Sequence, residues 1–126
     1  MRLVDTSAWI EWLLDSSVGK SVGAELPDNV EWLVPTIVQL ELAKWLTREM
    51  GENTADQVIA FTRTCIVSNL DTAIALAAAD LCARHRLPMA DAIIYATARA
   101  NDAHLVTCDK HFEGLPNVRF IPKYNA

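Results

Sequence analysis

Cysteine, glycine and proline are all scarce in this sequence, and each shortage removes a class of protein. The three cysteines, Cys65, Cys82 and Cys108, are odd in number, widely spaced and form no CxxC pair. This excludes a disulfide framework and a structural zinc site, and the thiols are expected to be reduced and mostly buried. Four glycines and five prolines are too few and too scattered to mark a linker, and there is no repeat or low-complexity tract. No apolar run is long enough to cross a bilayer or to serve as a signal peptide, because the N-terminus meets an acid at Asp5. The expected location is the cytoplasm, with no membrane partner. Basic residues are in the minority, eleven against sixteen acids for a formal charge of −5, which argues against a broad basic surface for non-specific duplex binding. Nucleic acid is not thereby excluded, since cations held by a carboxylate cluster would offset its local charge.

What remains is the composition of a packed globular protein. The 126 residues are 52% hydrophobic and 21% charged, enough for one core and one domain spanning 1–126. Four tryptophans, Trp9, Trp12, Trp32 and Trp45, are many for this length. Such rings are enriched at protein contacts, which favours a homodimer or a bound partner.

Short apolar runs alternate with helical ones. Strands are expected at Arg2–Val4, Glu31–Val34, Cys65–Ser68, His104–Thr107 and Val118–Ile121. Helices are expected at Ala8–Leu14, capped by the Thr6 and Ser7 hydroxyls, in a short segment after Gly19, and at Ile37–Met50 ending at Gly51. Further helices are expected at Thr54–Thr64 with Asn53 as a cap, at Asp71–His85 and at Met89–Asn101. Strands alternating with helices specify a parallel sheet covered on both faces, a three-layer α/β/α sandwich with about four to five strands, whose ligands bind outside the carboxyl ends of the strands.

Four acids fall where such a sheet would gather them. Asp5 and Asp109 follow the first and fourth predicted strands. Each alone reads equally as a turn aspartate. Glu41 lies inside the apolar arc Ile37–Val38–Leu42–Trp45–Leu46, where an unpaired carboxylate is costly; an ion pair with Lys44 is the bland alternative. Asp91 opens a helix that is apolar on nearly every side, and a favourable interaction with the helix dipole would account for it equally well. Taken together, four converging carboxylates select a hard cation, Mg²⁺ or Mn²⁺, over zinc, and without one some should have raised pKa values.

The segments around these acids, Leu3-Val4-Asp5-Thr6-Ser7-Ala8-Trp9-Ile10, Val38-Gln39-Leu40-Glu41-Leu42, Ala90 to Ala98, and Leu105-Val106-Thr107-Cys108-Asp109-Lys110-His111-Phe112, resemble in order and spacing the PIN-domain ribonucleases. Among these they are similar to the VapC-type toxins of toxin–antitoxin pairs, and the resemblance covers essentially the whole chain. It implies a PIN-like parallel-sheet sandwich in which Asp5, Glu41, Asp91 and Asp109 hold one or two Mg²⁺ or Mn²⁺ ions, with Thr6, Ser7 and Thr107 in support. It also implies endoribonuclease activity leaving a 5′-phosphate and a 3′-hydroxyl, and a small antitoxin that occludes the cleft. Asp109 is the first choice to accept the proton of the attacking water. Lys44, Arg48, Arg99, Lys110 and His111 are the candidate contacts to the RNA substrate, by nearness to the acids in sequence. Two rivals stand beside this reading. One is a non-catalytic PIN-like module that binds RNA or protein, which would have no need to crowd carboxylates. The other is a phosphoacceptor receiver domain, which should carry adjacent acids after its first strand where Val4-Asp5-Thr6 has one.

Overall fold

Buried apolar runs of three or four residues set the strands. In the computed structural model, which describes residues 1–123, these are β1 (Arg2–Val4), β2 (Trp32–Pro35), β3 (Ile66–Ser68), β4 (His104–Thr107) and β5 (Val118–Phe120). They form one wholly parallel sheet in the order β3-β2-β1-β4-β5. The register places Leu3 between Leu33 and Leu105, and Val4 beside Val106, all of them buried. An interior parallel strand has to be apolar on both faces, and β1 is.

Six helices connect the strands: α1 (Thr6–Leu13), α2 (Ser17–Gly23), α3 (Thr36–Met50), α4 (Glu52–Thr62), α5 (Thr72–His85) and α6 (Met89–Ala100). The path from β1 to β3 runs outward in one direction and the path from β3 to β5 in the other. Right-handed crossovers therefore place α1–α4 on one face and α5 and α6 on the opposite one. α6 is sunk deepest: every residue from Ala92 to Ala98 is buried, as its unbroken apolar surface requires. Among the described residues no helix is long and apolar enough to cross a membrane.

Several local expectations are corrected. The helix anticipated after Gly19 is Ser17–Gly23, started by Ser16, whose hydroxyl accepts from the Gly19 N–H at 2.9 Å. Gly19 lies inside this helix because α2 is pressed onto α1 there: a Cβ would stand 2.0 Å from the Glu11 carbonyl oxygen. Asn53 is not a cap, since α4 begins at Glu52 directly after Gly51, whose φ of 93° turns the chain out of α3. Two of the four tryptophans serve the core rather than a partner. Trp9 and Trp32 are buried with ring centroids 4.7 Å apart, and Phe61 stands edge-on to both. Trp12 and Trp45 are half-buried. The thiols are all free, but only Cys108 is buried; Cys65 and Cys82 are half-buried.

Candidate metal centre at the sheet switch point

The chain leaves β1 toward β2 on one side and returns to β4 on the other, so the sheet reverses its direction of winding between β1 and β4. At such a point the flanking connections diverge and leave a crevice at the strands' carboxyl ends. Asp5 is the first residue beyond β1 and is tied into the ladder by its N–H, which donates to the Val106 carbonyl at 2.8 Å. Asp109 lies two residues beyond β4. Glu41 arrives on the second turn of α3 and Asp91 on the first turn of α6, the helices that start at this end of the sheet.

Asp5 is the best fixed of the four. It is 3% exposed, and its Oδ2 accepts from the Ser7 hydroxyl at 2.6 Å and the Thr107 hydroxyl at 2.9 Å. Both donors are themselves held, because the Cys108 N–H donates to Ser7 Oγ and the Asp109 N–H to Thr107 Oγ1, each at 3.0 Å. With Oδ2 so occupied, no hydrogen bond to Oδ1 forms among the described residues. Thr6 does the same service for Glu41, donating to its Oε1 at 2.7 Å. These bonds overturn the expectation that Thr6 and Ser7 cap α1. Asp5 occupies the cap position with no side-chain capping bond, and the two hydroxyls orient carboxylates instead. Glu41 is half-buried and forms no ion pair with Lys44 among the described residues.

Asp109 accepts from the His111 N–H at 2.9 Å and so starts a single 3-10 turn, Lys110–Phe112, anchored by the fully buried Phe112 ring. That turn carries the His111 ring into the cluster, with Nδ1 2.9 Å from Asp91 Oδ2 and 3.0 Å from Asp109 Oδ1. α6 is pinned by Tyr95, whose hydroxyl donates to the Pro116 carbonyl at 2.8 Å.

Crowding of like charge shows in the titration of the group. Burial pushes the Asp5 carboxyl up against the opposing bonds from Ser7 and Thr107, and the charges of Asp109 and Glu41 push the same way. Asp91 is raised to about 7, first by burial and then by Asp109 and Asp5, with His111 pulling it back. The His111 imidazole is raised in turn, chiefly by the Asp109 charge. Carboxylates that resist ionisation together are neutralised by a divalent cation, and their all-oxygen donors suit a hard one. One ligand atom from each of Asp91, Asp109 and His111 lies within 4.8 Å of the others, so the residues present fit such an ion.

An open cleft of about 450 Å³ adjoins the acids, lined by Ser7, Cys108, Asp109, Lys110, His111, Phe120, Pro122 and Lys123. Of the basic residues expected to contact substrate, it brings in Lys110 and His111. Lys44 lies exposed one turn beyond Glu41. Arg48 and Arg99 are not brought to the site, because each helix runs away from the strands' carboxyl ends. Arg48 is seven residues below Glu41 and pairs with Glu49, while Arg99 is eight below Asp91, about 12 Å along the axis, stacked on Tyr95. Phe120 and Lys123 were not anticipated, although the end of β5 belongs to the same sheet edge and could have pointed to them.

Comparison with solved structures finds the same architecture repeatedly. A chain of a toxin–antitoxin complex from Klebsiella pneumoniae superposes with a TM-score of 0.83 at 24% identity, covering 100% of both chains. The Mycobacterium tuberculosis toxin VapC20, which cleaves the sarcin-ricin loop, gives 0.78 at 21% identity over 97% of this chain and 100% of its own. A chain of DNA-bound VapBC from Salmonella typhimurium gives 0.70 at 18% identity over 95% and 97%. Among curated proteins nothing matches in sequence. The family model of the PIN domain matches residues 2–118, nearly the whole chain and all four acids, and the chain therefore belongs to the PIN-domain family.

Proposed function

We propose that this chain is a metal-dependent endoribonuclease, the toxin of a toxin–antitoxin pair, acting as one nuclease domain in the cytoplasm. The observation that carries the reading is the gathering of Asp5, Glu41, Asp91 and Asp109 at the β1–β4 switch point, with hydroxyls spent on orienting two of them. A binding module gains nothing from burying carboxylates beside one another, an arrangement in which burial first, and then the charges of Asp109 and Asp5, raise Asp91 to about 7.

Asp5, Glu41, Asp91 and Asp109 would hold Mg²⁺ or Mn²⁺, which when bound supplies charge neutralisation at the scissile phosphodiester and acidifies water. Ser7 and Thr107 fix the Asp5 carboxylate before substrate arrives, so little reorganisation is left for the reaction. Thr6 does this for Glu41. Asp109, half-buried beside the open cleft, is placed to accept the proton of the attacking water. Lys110 and Lys123 offer charge to the RNA backbone, and Phe120 a face on which a base can stack.

Similarity to chains of toxin–antitoxin complexes supports a small cognate antitoxin as partner. A basic side chain from it, set against the acids, would form a charge-assisted contact that occludes the site. Leu40, Leu76 and Met89 are 64%, 68% and 77% exposed, apolar surface available to that partner or to a homodimer.

The test is cleavage of a mixed RNA pool by purified protein free of antitoxin, with Mg²⁺ or Mn²⁺ against EDTA, and with Asp91→Asn as control. Cutting that requires the metal and disappears with the substitution is the expected outcome. A folded protein that binds RNA or a partner but cuts under no metal would transfer the assignment to the non-catalytic module.

A further inference from the structure

We infer that the His111 imidazole is itself a metal ligand at this site, entering through Nδ1 beside Asp91 and Asp109, and that it tilts the site toward Mn²⁺ over Mg²⁺. The inference rests on the reading that the carboxylates hold a divalent cation. Its ground is the position of one atom. Nδ1 lies 2.9 Å from Asp91 Oδ2 and 3.0 Å from Asp109 Oδ1, yet a ring nitrogen carries at most one proton and cannot give a full hydrogen bond to both. An atom equidistant from two carboxylate oxygens, all lying within 4.8 Å of one another, is placed as three donors around a common centre are placed. Loss of its proton exposes the lone pair that a cation takes.

The ring is delivered there by the backbone. Asp109 both offers an oxygen to the centre and starts the turn that carries His111, and the buried Phe112 ring holds that turn down. One residue thus sets the position of another donor. With Nδ1 turned toward the two carboxylates, only Nε2 of the ring is left to meet an RNA phosphate.

The choice of ion follows from the donor. Mg²⁺ prefers oxygen, demands near-ideal octahedral geometry and keeps several of its waters, so it gains little from an imidazole. A first-row transition ion gains more from nitrogen, and Mn²⁺ is the one that also tolerates a set otherwise made of carboxylates. The competing account is a surface ion pair: the His111 side chain is 57% exposed, and such pairs contribute little.

Metal alone distinguishes the two. Mn²⁺ is added to metal-free protein labelled with ¹⁵N-histidine, and pulsed electron paramagnetic resonance reads the coupling of the ion to ring nitrogen. His85 closes α5 and His104 opens β4 at the far end of the sheet, so a histidine signal reports His111. The expected result is a coupling present in the wild type and absent in His111→Ala, with Mn²⁺ affinity by calorimetry about tenfold or more weaker in the variant and Mg²⁺ affinity changed less than about threefold. In His111→Asp, Mg²⁺ affinity should be kept or raised while the coupling disappears. Mn²⁺ bound without ring coupling, or bound equally by His111→Ala, overturns the inference and leaves the carboxylate site standing. Failure of folded wild type to bind either ion overturns both.

Discussion

Removing one carboxylate should make the metal-free protein more stable, and increasingly so as the pH rises. The Asp91 carboxyl is raised from 3.8 to about 7 by burial and by its acidic neighbours. Between those values the native chain holds a proton that the unfolded chain has released, so this group's contribution to stability is present below its unfolded value and lost as the pH rises to about 7. At pH 8 both states are ionised and the native one bears the strain, at most ~4 kcal/mol for a shift of that size. The offset from His111, 2.9 Å away, is already contained in that shift, and screening by the water that reaches a side chain 15% exposed reduces the cost further. Asp91→Asn, nearly identical in shape, should therefore stabilise the metal-free protein by ~1–2 kcal/mol at pH 8, an increase of about 3–8 °C in Tm for a chain of this size. At pH 5, where the native Asp91 is neutral but the unfolded carboxyl is still ionised, only about a third of the gain should remain, and it should vanish below the unfolded value of 3.8. Differential scanning calorimetry in EDTA at the two pH values measures both numbers. A variant less stable than wild type at pH 8, or a gap of equal size at pH 5, would refute the account of the site as mutually repelling carboxylates.

Thr107→Val keeps the shape of a fully buried side chain but removes its bond to Asp5 and leaves the Asp109 N–H without its acceptor. A loss of ~1.5–3 kcal/mol is expected in urea denaturation, together with a fall in kcat for RNA cleavage that exceeds any change in KM. Gly19→Ala tests the fold away from the site: with a methyl placed 2.0 Å from the Glu11 carbonyl oxygen, α1 and α2 must separate, and a destabilisation of ~1–3 kcal/mol should follow. An unchanged midpoint there would mean that the two helices are not packed as described.

The parts of the fold that could be read in advance are those fixed by local pattern. All five strands lie within a residue or two of their expected places. The uninterrupted apolar surface from Ala92 to Ala98 announced a buried helix, and Asp5 and Asp109 could be placed at strand ends because a parallel sheet puts ligands there. What could not be read is settled by residues distant in sequence. Thr6 and Ser7 resemble caps locally, but Thr6 reaches Glu41, and Ser7 shares the Asp5 carboxylate with Thr107, a hundred residues away. Nearness in sequence misled for Arg48 and Arg99, since a helix carries a residue about 1.5 Å farther from the sheet edge with each step. Trp9 and Trp32 meet face to tilted face only once α1 lies over β2. His111 next to Asp109 is visible in the sequence, but the turn that bends it back toward Asp91 is not.

The placement of β1 has a bearing on when the protein becomes competent. The first strand of the chain is the middle strand of the sheet, and Leu3 and Val4 pair with Leu105 and Val106. Contacts between residues a hundred apart cannot form until the stretch between them has been synthesised, so folding waits on the closure of a long loop. Asp5 is made about a hundred residues before its partners, and it has no Thr107 to orient it and no Asp109 beside it until that stretch has followed. Premature termination anywhere before β4 therefore yields no fragment with the four acids assembled.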